Sequence, residues 1–255
     1  MKKIIIFYAI SLLFSGFIFS AGMEKYDHMD IYKGSKVNGK GPYQENVYDA
    51  NQKEIAVATY KYNENGQLIE ALYTKNNTND GKTKYTYNEG LLQEEIIYNS
   101  ENVMVEKLVY KYSKGHLSGY TVTDSNEKEV LRWQYSYKNN KISSGIRFIE
   151  KEITEKFTVK YEKNGNSVYQ IYYPNDEKAG TIETYFDKEN IVKREKVDVT
   201  GKYIINYKYD NENRLLEMVF YEKEKKGETM VLQKTHKLIY AEIINPNPEK
   251  ISLRK

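Results

Sequence analysis

Aromatic and polar residues alternate along most of this chain, and short polar turns interrupt the alternation at nearly constant intervals. In Tyr60-Lys61-Tyr62, Tyr110-Lys111-Tyr112, Tyr135-Ser136-Tyr137 and Tyr207-Lys208-Tyr209 the rings recur at period two. In a strand this period puts the rings on one face and Lys or Ser on the other. Each aromatic pair is followed by a turn such as Asn63-Glu64-Asn65-Gly66 or Glu162-Lys163-Asn164-Gly165, whose Asn and Gly tolerate the positive φ that tight hairpins require. A Leu, Ile or Val then opens a second alternating run, as in 67–73 or 214–221. The unit is a β-hairpin with one packed and one wet face.

The unit recurs. YKYNENGQL begins at Tyr60, YTYNEGLL at Tyr85, YKYSKGHL at Tyr110, YSYKNNKI at Tyr135, VKYEKNGNSV at Val159, TYFDKENI at Thr184 and YKYDNENRL at Tyr207. A period of about 25 residues marks units that are stable only when stacked on their neighbours. Two strands and two turns per unit leave roughly 7 to 9 residues for each strand. Upstream, 46–49 and 54–62 flank the turn 50–53, and downstream 230–240 alternates as a closing strand. The expected total is about 15 to 17 strands, more than an open twisted sheet holds without curling, splitting or closing. The sequence therefore predicts an all-β protein, an antiparallel meander of hairpins forming one long curled or partly closed sheet over 45–241. Flexible segments are expected at 22–44 and 242–255, and no stretch after the leader carries helical periodicity.

The leader bears on location. Lys2 and Lys3 precede an apolar run, so 1–21 reads as a secretory signal cut near Gly22 or Met23. The alternative is an uncleaved anchor, since 4–21 approaches the length of a bilayer span. The expected destination is the periplasm, the cell surface or the medium. With no cysteine, neither a lipid-modified N-terminus nor a disulfide framework is available. Two of the 39 basic residues lie in the leader, leaving 37 against 36 acidic ones, well interspersed. That balance supports neither a nucleic-acid footprint nor a polybasic membrane patch.

Candidate chemistry is sparse. A nucleophile needs a base within hydrogen-bond reach, and the chain offers only His28, His116 and His236. His28, in Tyr26-Asp27-His28-Met29-Asp30, could join carboxylates on a metal, but it falls in the segment expected to be flexible. His116 and His236 read as surface positions. Glu94-Glu95, Glu150 and Glu152 could supply paired carboxylates, although such pairs are ordinary on solvated strand faces. Each glycine sits in a hairpin turn rather than between strand and helix, so no phosphate loop is expected. These residues predict no catalytic, metal or cofactor site.

YKYNENGQL and YKYDNENRLLE resemble the tyrosine-aspartate repeat of the RHS type, through Tyr60, Tyr62, Gly66 and Leu68 in the first unit and Tyr207, Tyr209, Asp210 and Leu215 in the last. The short Tyr/Gly hairpins related to MORN motifs are similar in period. The RHS resemblance implies a long curled sheet, which in large toxins forms a hollow casing and in other proteins an extracellular scaffold. The residues expected to form the packed ladder are Tyr60, Tyr62, Tyr85, Tyr87, Tyr110, Tyr112, Trp133, Tyr135, Tyr137, Tyr161, Tyr207 and Tyr209. The function expected is an exported, non-catalytic scaffold or binding module of the envelope, its partner an envelope protein or a glycan. A carbohydrate- or peptide-binding surface built on the ladder, a relative of the toxin casing and an outer-membrane β-barrel are the alternatives. Against the last, Leu68, Glu70 and Leu72, and likewise Leu215, Glu217 and Val219, would share a face, and the strands look short for a bilayer. No membrane span is expected once the leader is removed.

Overall fold

The computed structural model describes residues 41–224 and 229–240; the leader, His28, most of 22–44 and the tail 242–255 lie outside them. The described chain is a 16-stranded antiparallel meander. Its first eight strands are β1 Gln44–Asp49, β2 Glu54–Tyr62, β3 Leu68–Lys75, β4 Thr78–Asn88, β5 Leu91–Tyr98, β6 Met104–Ser113, β7 His116–Asp124 and β8 Glu129–Lys138. The others are β9 Lys141–Ile149, β10 Glu152–Tyr161, β11 Ser167–Tyr172, β12 Lys178–Asp187, β13 Asn190–Asp198, β14 Gly201–Tyr209, β15 Leu215–Glu224 and β16 Val231–Ile239. Each strand pairs with the next, and β16 pairs with β1 from Gln44 opposite Ile239 to Asp49 opposite Lys234. The sheet therefore closes completely, where the sequence predicts a curled or partly closed one. It begins at Gln44, and Pro42 is already fully buried.

Stagger and bulges bring the ends together. Tyr60 lies opposite Ala71, and Ala71 lies opposite Thr83, two residues short of Tyr85, the equivalent of Tyr60 in the next unit. Such an advance at each hairpin tilts the strands, which closure requires. In most units the first strand also slips one residue against the second, as between Lys61 and Tyr62, Thr86 and Tyr87, Lys111 and Tyr112, Ser136 and Tyr137, and Lys208 and Tyr209. A bulge bends the strand and deepens its twist. It also moves side chains between faces: Leu68 and Leu215 turn inward and are 0% and 1% exposed, whereas Glu70 and Glu217 turn outward. Simple alternation would have placed each Leu beside its Glu. Strands run from 6 to 11 residues, longer than the 7 to 9 expected for several of them, because many turns use only two residues.

Those turns carry their own signature. Asn76 and Asn77 (φ 48° and 63°) and Asn139 and Asn140 (53° and 60°) hold both central residues left-handed, as type I′ turns demand. Glu150 and Lys151 adopt the same geometry, at 49° and 74°, without the residue types that favour it. Lys151→Gly is therefore expected to raise stability by about 0.5–1 kcal/mol by relieving the left-handed strain, measured by urea denaturation. In the longer turns an Asn or Asp caps the loop. The Asn63 side-chain oxygen accepts from the backbone N–H of Asn65 (3.0 Å) and Gln67 (2.9 Å), and Asp49, Asn99, Asp124 and Asp210 do the same. This Asx geometry is the physical content of the acidic or amide position in the repeat.

The second tyrosine of the pair has a matching task. Because of the stagger, the β3–β4 ladder begins at Glu70 and Lys84, which leaves the Leu68 carbonyl beyond it. The Tyr87 hydroxyl donates to that carbonyl at 2.9 Å. Tyr112 donates to Leu92 O, Tyr137 to Leu117 O, Tyr209 to Ile191 O and Tyr240 to Leu215 O, at 2.8–3.0 Å. Tyr62 closes the series on Pro42 O at 2.8 Å. We call the end carrying these bonds the tyrosine rim.

Candidate functional site: the barrel lumen

Sixteen strands enclose more space than inward side chains can fill across the diameter. Along the wall every strand packs against its two hydrogen-bonded neighbours. The register turns all twelve ladder residues toward this lumen. Tyr60, Tyr85, Tyr110 and Tyr207 are buried there, Tyr161 is exposed at the tyrosine rim, and the other ladder residues are half-buried. Burial drives the hydroxyls of Tyr60 and Tyr85 far above the ordinary tyrosine range and that of Tyr73 up to about 12. These phenols remain protonated donors at physiological pH.

Between β6 and β11 the rings form one continuous strip. Tyr110 meets Tyr120 at 5.7 Å between centroids, Tyr120 meets Tyr135 at 6.4 Å, and Trp133 lies 5.9 Å from Tyr135 with only 19° between planes. Phe157 bridges Trp133 at 5.6 Å to Tyr169 at 5.2 Å. The strand between, β9, contributes Gly145, and a Cβ there would stand 2.4 Å from the Phe157 ring. The absent side chain is what lets the rings of β8 and β10 meet across β9.

Ionisable groups interrupt the aromatic wall. Glu45 on β1 accepts from the Tyr60 hydroxyl and pairs with His236 Nδ1 at 2.5 Å, both acid and imidazole being almost fully buried. His236 is thus an interior residue and not the surface position expected. It lies in phase with Lys234 and Leu238 on the inward face of β16, a periodicity present in the sequence, but its partner stands 191 residues away. Glu95 on β5 repeats the arrangement with Tyr110. Arg147 approaches Glu155 at 3.7 Å, and burial lifts the Glu155 carboxyl above its ordinary range despite that neighbour. Lys196 pairs with Asp198 at 2.7 Å, and Lys234, over the Phe220 ring, is pushed down to about 8 by burial.

The pairs considered from sequence do not converge. Glu95 faces the lumen and is buried, whereas Glu94 faces outward to Lys107 at 2.7 Å. Glu150, in the β9–β10 turn, pairs with Lys128 of the β7–β8 turn at 3.0 Å, and His116 stacks on Tyr137 at 4.8 Å near the tyrosine rim. Among the described residues no three His, Cys, Asp or Glu side chains gather as a metal site.

The outer wall divides into two zones. Toward the tyrosine rim it carries the ion pairs Lys61–Glu70 at 2.6 Å and Lys208–Glu217 at 2.5 Å, and farther along the wall Glu195 stands between Lys193 (3.0 Å) and Lys202 (2.7 Å), the latter opposite Val197. Toward the opposite rim it turns apolar, with Tyr48, Tyr98, Phe148, Ile153, Tyr172 and Val197 at outward positions, several under cations. Among the described residues no helix is long and apolar enough to cross a membrane.

No family model matches the chain, and no curated protein matches it. Among solved structures it is similar to a porin-like protein from Bacteroides uniformis ATCC 8492, with a TM-score of 0.55 and 12% identity over 82% of this chain and 99% of that one. A porin-like protein from Bacteroides vulgatus ATCC 8482 aligns at a TM-score of 0.45 and 11% identity, over 78% of this chain and 98% of that one. At 12% identity the likeness to the first is one of fold alone.

Proposed function

We propose that the protein is an exported, non-catalytic binding module whose barrel stands in water and whose lumen is the binding chamber. The observation that carries this reading is the ion-paired outer wall around an aromatic inner one. A lipid-facing Lys or Arg near the bilayer midplane costs about 2–4 kcal/mol, and Lys61, Lys84, Lys107, Lys193, Lys202 and Lys208 all face outward within strands. The Asx-capped turns and paired tyrosines support kinship with tyrosine-aspartate repeats, here wrapped into a ring rather than a casing. The reading places the protein in the periplasm or on the cell surface. Detergent phase partitioning tests it: recovery of the mature chain in the aqueous phase, monodisperse without detergent, is the expected result. Retention in the detergent phase would overturn it.

A second reading, a membrane-inserted barrel, rests on the apolar zone near the opposite rim and on the likeness to a porin-like fold. On β5, β9 and β15 outward apolar residues occupy two successive positions, Ile96 and Tyr98, Ile146 and Phe148, and Val219 and Tyr221, roughly 7 Å apart along the strand, against the roughly 25 Å band of spanning barrels. The same partitioning experiment decides between the two.

A further inference from the structure

Resting on the reading of the lumen as the binding chamber, we infer that its ligand is a glycan, stacked on the aromatic strip between β6 and β11. Three features of the strip select this chemistry. The strip is long and continuous, crossing six strands, about 25 Å at the usual interstrand spacing, so it can seat several rings in series. It is also smooth, because Gly145 places no side chain between the near-parallel Trp133 and Tyr135 rings of β8 and Phe157 on β10. Its border is polar: Arg147, opposite Trp133 in the register and 6.0 Å from that ring, pairs with Glu155.

A pyranose has an apolar face that can lie on an aromatic ring and an edge of hydroxyls that both donate and accept. The strip supplies the rings, and the Arg147–Glu155 pair supplies one donor group and one acceptor group. An acyl chain would call for a closed apolar slot, whereas this wall faces a wide lumen. A nucleic-acid strand would call for a basic groove to follow its phosphates, yet Glu155, Glu95 and Glu106 share this side of the lumen with Arg147.

Trp133 is the only tryptophan in the chain, so the site carries its own reporter. Linear β-1,4-linked oligomers of glucose and of N-acetylglucosamine, titrated into the mature protein, are expected to change its fluorescence saturably, with affinity rising at least about tenfold from dimer to hexamer as more rings stack. Tyr169→Ala should weaken the hexamer by about tenfold with an unchanged circular dichroism spectrum, and Tyr48→Ala on the outer wall should leave binding as it was. Absence of any response up to 10 mM, equal binding by the Tyr169 variant, or saturation by an extended peptide or a fatty acid but no sugar would overturn the assignment. Acrylamide separates the two levels of inference. If it quenches Trp133 while every sugar is silent, the glycan assignment falls and the chamber stands; if Trp133 is shielded from it, the chamber falls as well.

Discussion

Replacing Glu45 by alanine should cost about 3–5 kcal/mol, the range for removing one partner of a buried ion pair, and should open the barrel along one line. Glu45 belongs to β1, His236 to β16 and Tyr60 to β2, so the carboxylate ties together the strands on both sides of the closing seam. Without it the Tyr60 hydroxyl and His236 Nδ1 lose their common charged acceptor in a buried site, where a lost hydrogen bond costs most. Glu95→Ala is the control, because Glu95 serves Tyr110 in the middle of the meander, where strands flank it in sequence as well as in space. Both variants should be destabilised in urea. Only Glu45→Ala should show faster amide exchange along both β1 and β16, because only there does loss of the contact free two sheet edges. Equal exchange at the seam in the two variants would mean that closure depends on the backbone ladder alone.

The hairpins were legible because their signals are local. Tyr60-Lys61-Tyr62 alternates within three residues and Asn63 caps its turn within four, so unit length, strand count near 16 and antiparallel order all follow from short-range pattern. Closure depends on quantities that no single unit displays. One slipped residue at each bulge turns Leu68 inward while Glu70 and Leu72 keep a common outward face, so strict alternation misplaces the residue at the bulge and not the wall beyond it. Likewise alternation puts His236 in phase with Leu238, but its acceptor comes from the far end of the chain and meets it only after the sheet has turned full circle. The aromatic strip was visible as a list of rings, but its smoothness hangs on Gly145, which alternation counts as a missing side chain.

The repeat uses tyrosine rather than phenylalanine at its second aromatic position, and the hydroxyl bonds at the tyrosine rim give the reason and a measurable consequence. Tyr62, Tyr87, Tyr112 and Tyr137 each donate to a carbonyl that the stagger has carried past the end of its ladder. Phenylalanine would keep the ring and its packing and leave that carbonyl unpaired. Each Tyr→Phe change should therefore cost about 1 kcal/mol. The sites lie on alternate strands and share no acceptor, so the costs should add, to about 4 kcal/mol for the quadruple variant. Lys111→Ser, on the wet face of the same strand as Tyr112, should fall within about 0.5 kcal/mol. The sixth unit supplies an internal comparison, because it carries Phe186 at this position, and there the strand end is held by a different bond, the Phe186 backbone N–H donating to the Asn166 side-chain oxygen at 3.1 Å. Phe186→Tyr should consequently give no comparable gain. Urea midpoints for the four single variants, the quadruple variant and Phe186→Tyr would test the assignment, and a quadruple variant no less stable than wild type would show that water satisfies these carbonyls as well as the phenols do.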